Sequence, residues 1–230
     1  MEEVKETVIA ARIRAPRAGA VAGILFSILL FISLVLIRLS VPASPADPGT
    51  WLSHSAKSIR LALGLLPFAG IAFLWFMGVL RDQMGGHEDR FFATVFLGSG
   101  LLFLAMTFAS SAATGGLLIA YEATPEKFMD SGTYTFARTL GYELANVYAL
   151  RMAGVFMFST CTLAIRIGIF PRWMAFLGYA LGLFLVLSIG HFGWAPLVFP
   201  SWSLVISVYV LFVNFRRRGV QGRTAIAPTL

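Results

Sequence analysis

Charge is scarce in this sequence. Only 13% of its 230 residues are Asp, Glu, Lys or Arg, against about 25% in an ordinary soluble domain. Cysteine is scarcer still: Cys161 stands alone, which excludes an intrachain disulfide and a cluster of thiolate metal ligands, and its apolar neighbours read it as a small buried hydrophobe. Lys5, Lys57 and Lys127 are the three lysines, and none lies centrally in an apolar run, so a retinal Schiff base has no attachment point. There is no Gly-rich phosphate loop, no metal-binding helix motif and no Ser, His and Asp set that helical periodicity would bring together. His87, Glu88 and Asp89 are contiguous in a polar loop and read as a solvated charge run. His54 and His191 could in principle meet near one surface and hold a haem or a metal, but no carboxylates surround them and neither sits a turn inside a span. The expectation is therefore no cofactor, no metal site and no catalytic residue, with the balance against an enzyme.

What the sequence has in abundance is apolar length. Hydrophobic residues make up 58% of it, and runs of about 20 residues, the length that crosses a bilayer core, recur with charges at their ends. This predicts an all-α, polytopic transmembrane helix bundle of six spans with no large soluble domain. The spans are expected at about 18–37, 61–80, 91–121, 144–165, 173–189 and 200–215, between an N-terminal segment, 1–17, and a basic tail, 216–230. The first run is too long for a cleaved secretory signal and is expected to remain as a span. Pro67 predicts a kink in the second span. The 31 residues of the third would be about 46 Å of helix, so that span must tilt or end early. Gly19 with Gly23, and Gly178 with Gly182, carry the small-residue spacing that lets helices approach closely. Residues 122–141 form the longest interior loop, with room for an amphipathic surface helix.

The formal charge is +7, but the basic residues map to topology and not to a nucleic-acid groove. With six spans and the N-terminus inside, Lys5, Arg12, Arg14, Arg17, Arg81, Arg90, Arg166, Arg172, Arg216, Arg217, Arg218 and Arg223 fall in the cytoplasm. Arg38, Lys57, Arg60, Lys127 and Arg138 fall outside. Twelve against five satisfies the positive-inside rule and puts both termini in the cytoplasm.

Arg151 is the one charge deep in an apolar run. A charge there costs about 2.5 to 3.5 kcal/mol on insertion scales and normally faces a partner or a wet cavity. Two readings follow. In one, Arg151 pins helices together through helix-end carbonyls, Tyr148, or the hydroxyls of Ser110, Ser111 and Thr114. In the other, it is the cationic wall of a cavity for a carboxylate, phosphate or lipid headgroup, with Tyr142, Glu143 and Asn146 at the mouth.

The stretch FLWFMGVLRDQMGGHEDRFFATVFLGSGLLFLAM, residues 73–106, resembles a pattern in a family of uncharacterised bacterial multi-pass membrane proteins. The resemblance covers the central third of the chain. It implies an inner-membrane protein of about six helices and carries no activity, cofactor or catalytic residue. Handling of a lipid or small molecule near Arg151, by transport or accessory binding, is the first functional expectation. A structural subunit that docks a membrane-protein partner or a second copy of itself is the alternative. A membrane enzyme or haem protein using His54 and His191 comes last.

Overall fold

A computed structural model describes residues 2–42, 49, 51–84, 90–125, 132–168, 171–187 and 192–224. The loop stretch around His87 and the residue His191 lie outside these, so the expectations placed on them are outside the described residues. Six helices account for nearly everything described. Helix α1 is Glu2–Ser40, α2 is Trp51–Met84 and α3 is Arg90–Ala123. Helix α4 is compound: an α-helical part Thr133–Glu143, a π-helical segment Leu144–Ala149 and a second α-helical part Leu150–Ile167. Helix α5 is Arg172–Leu187, and α6 is Val198–Thr224, entered through a 3₁₀ turn at Ala195–Leu197.

Among the described residues, five segments are long and apolar enough to cross a membrane: Ala18–Ser40, Trp51–Asp82, Phe91–Ala123, Thr133–Arg166 and Ala195–Val213. Each presents large apolar side chains outward, Trp75, Ile119 and Phe212 among them, where an aqueous fold would place polar ones. The chain is an integral membrane protein built as a helix bundle.

The bundle closes on one aromatic node. Phe73 of α2 lies 4.7 Å from Phe26 of α1, 5.5 Å from Phe103 of α3, 5.2 Å from Phe156 of α4 and 6.0 Å from Phe199 of α6, measured between ring centroids. All five rings are within 5% exposure. Tilted and edge-on contacts of this kind add about 0.5–1.5 kcal/mol per pair beyond area burial. Lipid supplies no hydrophobic drive between helices, so such packing is what holds them together.

Glycine sets the close approaches. A Cβ on Gly23 would lie 2.1 Å from Ser207 Oγ and 2.7 Å from Phe76, so α1 meets both α2 and α6 there. Gly178 faces Cys161, and Gly182 faces Gly154, where α5 crosses α4. Both glycine pairs singled out in the sequence therefore lie inside the bundle, between helices of the same chain. The Gly23–Ser207 and Phe26–Phe199 contacts also fix direction: α1 and α6 run antiparallel, so the start of α1 and the end of α6 lie at one end of the bundle.

Three expected boundaries move. The fourth span does not begin at 144, because residues 133–143 continue into it as helix and shorten the expected loop. The second begins at Trp51, ten residues before 61. Its added turns are held by Trp51 Nε1 donating to the Tyr134 hydroxyl across 3.2 Å. The third does not end early; α3 is one helix of 34 residues, about 51 Å long, which leaves tilt as the way it fits a core of about 30 Å. In contrast, α5 has 16 residues, about 24 Å, and is short for a crossing.

Candidate functional site: a cavity at one end of the bundle

A cavity of about 260 Å³ opens at the end where α1 and α3 finish and α2 and α4 begin. Its floor is apolar: Leu30, Leu66, Phe103 and Phe199, two of them rings of the aromatic node. Leu30 is next to the middle of the Ala18–Ser40 segment, so the floor lies near mid-span, and Val41 at the mouth is 11 residues further, about 16 Å up α1.

One wall comes from α3 and the π-helical part of α4. Thr107, Ser110, Ser111 and Thr114 stand at helical spacing on α3, and Tyr142, Ala145, Asn146 and Ala149 face them. The wide turn has local support. Ser110 Oγ donates to Gly141 O across 2.7 Å, and Asn146 Nδ2 donates to Tyr142 O across 3.1 Å. Both carbonyls lie in the turn just before the π-helical segment. Thr107 Oγ1 donates to Phe103 O at 2.8 Å, Ser111 Oγ to Thr107 O at 2.7 Å and Thr114 Oγ1 to Ser110 O at 3.0 Å. Every hydroxyl of the α3 wall thus has its proton on a backbone carbonyl and turns only lone pairs to the cavity.

Two guanidinium groups stand at the mouth. Arg38 lies 5.6 Å over the Trp194 ring, and Arg138 lies 5.1 Å over the Trp51 ring. Stacking of this type is worth about 0.5–2 kcal/mol and fixes the cation's plane. Arg138 also donates to Pro42 O, tying the start of α4 to the end of α1. Arg38 packs so closely on Gly193 that a Cβ there would lie 2.3 Å from its Nη2. No Asp or Glu lines the cavity among the described residues. The ion pair of Arg60 with Glu122 joins α2 to α3 away from the lining.

The residues expected at a site divide. Ser110, Ser111, Thr114, Tyr142 and Asn146 do share one cavity wall. Arg151 and Glu143 are not on its lining; Glu143 is exposed, and Arg151 is half-buried with no hydrogen bond or ion pair among the described residues. Arg38 and Arg138, by comparison, read in the sequence as loop charges counted for topology, and only the tryptophans near them in space mark them as a pair. His54 is exposed, and no group of three or more His, Cys, Asp or Glu lies together among the described residues.

Comparison with known proteins adds no relative: no family model, no curated protein and no solved structure matches the chain.

Proposed function

We propose that this protein is a ligand-handling membrane protein which binds a small amphiphile or lipid in the cavity between α1, α2, α3 and α4. The observation that carries the reading is the polarity gradient along one enclosed space, from an apolar floor near mid-span to two tryptophan-stacked arginines at the mouth. Pockets for small molecules combine mostly apolar walls with a few converging polar groups in this manner. The site is centred on Arg38 and Arg138, with the wall of Ser110, Ser111, Thr114, Tyr142 and Asn146 between them and the floor. Arg151 is not part of that site, since it lies off the cavity lining.

The same reading places the chain in a bacterial inner membrane with both termini in the cytoplasm, supported by the twelve-to-five distribution of basic residues and by the resemblance of residues 73–106. The cavity mouth then faces the outer leaflet. A partner-docking subunit is less well supported, because the glycine faces it would use are occupied within the bundle.

The test is native mass spectrometry of the protein extracted in a neutral detergent. The wild type should retain a non-covalent adduct, and Leu34→Trp, which grows the apolar wall into the cavity, should lose it while keeping its unfolding midpoint. A wild type without adduct, or an adduct that survives Leu34→Trp, refutes the reading.

A further inference from the structure

We propose that the cavity takes a single-chain anionic amphiphile from one leaflet, its charged head between Arg38 and Arg138 and its tail on Phe103 and Phe199. The inference rests on the ligand-handling reading above and names the class of ligand.

Three observations converge on it. The first is depth. From Leu30 to Val41 the cavity runs about 16 Å along α1, which matches half of a hydrocarbon core of about 30 Å. A chain that fills one leaflet therefore fits with its end on the aromatic floor and its head at the mouth, in the depth and orientation it already has in the bilayer. The second is capacity. About 260 Å³ falls just under the 300–1,000 Å³ of pockets that enclose drug-sized ligands, a scale that suits one chain.

The third is the distribution of donors. Among the described residues the lining has two guanidinium groups and no carboxylate. The α3 hydroxyls of Thr107, Ser110, Ser111 and Thr114 each donate to a carbonyl, so holding an anion half-way down would cost each of them that bond. Arg38 is the available donor: it stacks on Trp194 and makes no hydrogen bond among the described residues, so its N–H fork can take a carboxylate or phosphate by two parallel bonds. The charged donors stand at the mouth, and that sets the direction of the head.

The experiment uses the full chain in nanodiscs of zwitterionic phospholipid, titrated with dodecanoate, dodecyl phosphate, dodecanol and dodecyltrimethylammonium, with binding read as Kd. At least one of the two anions should bind about tenfold or more tighter than dodecanol, the increment expected of a charge-assisted hydrogen bond to a partly buried group. Whichever anion leads identifies a carboxylate or a phosphate as the head. Arg38→Gln should remove that advantage, the leading anion then binding no tighter than dodecanol binds to the same variant. It breaks no protein hydrogen bond among the described residues, so folding is retained. Equal binding of the anions and dodecanol, or tighter binding of the cation, overturns the anionic class while leaving a cavity that binds amphiphiles. No binding by any probe, or binding that survives Leu34→Trp, overturns both.

Discussion

Replacing Gly154 by Ala should loosen α5 from the bundle, and the size of the effect follows from the crossing itself. A Cβ on Gly154 would lie 2.7 Å from Gly182 O and 2.7 Å from Val186 Cγ2. A carbon sits about 3.3 Å or more from a carbonyl oxygen, so the two helices must part by about 0.6 Å. The side chain of Val186 can turn aside, but the Gly182 carbonyl belongs to the backbone of α5 and cannot. Overpacking of this kind costs about 1–3 kcal/mol, and close packing is the main attraction between helices in lipid. Gly98 is the control: a Cβ there meets nothing within 4 Å, so Gly98→Ala should gain up to about 1 kcal/mol from helix propensity. Unfolding in mixed micelles of rising denaturing-detergent fraction, followed by circular dichroism, gives both midpoints. If Gly154→Ala unfolds with Gly98→Ala or later, the α4–α5 crossing is not the close contact described here.

Other changes test the remaining contacts by the same unfolding assay. Phe73→Ala removes the ring on which five helices converge, and should cost about 3–5 kcal/mol, more than any other single truncation in the core. Ser110→Ala removes the donor to Gly141 O and should cost about 1 kcal/mol, with faster hydrogen exchange confined to the π-helical part of α4. Glu122→Gln should change the midpoint by less than about 1 kcal/mol, since both side chains of its pair with Arg60 are about half exposed.

The bundle was legible because lipid imposes a simple rule on sequence: a crossing needs a long apolar run, and the runs of this chain are unmistakable in α1, α2, α3 and α6. The helix ends were less legible. Trp51 and Thr133 begin helices in stretches rich in polar residues, and tertiary pairing, Trp51 with Tyr134 and Arg138 with Pro42, holds those turns where apolar periodicity gives no signal. Half of the cavity was visible for a local reason. Ser110, Ser111 and Thr114 share a helix face, and Tyr142 and Asn146 are one turn apart, so spacing alone grouped each set.

The cationic half was not visible, because Arg38 and Arg138 are 100 residues apart in the chain and meet Trp194 and Trp51 only through the fold. Arg151 drew notice because its run was read as starting at 144. In the structure it belongs to a helix that runs from Thr133 to Ile167, and it lies off the cavity lining.

A density map of the protein in lipid nanodiscs tests the central claim most directly. The account predicts an elongated, unbranched density from the Phe103 and Phe199 rings to the space between Arg38 and Arg138. A cavity closed by its own side chains, or density for a bound molecule at Arg151 with none between Arg38 and Arg138, would contradict it.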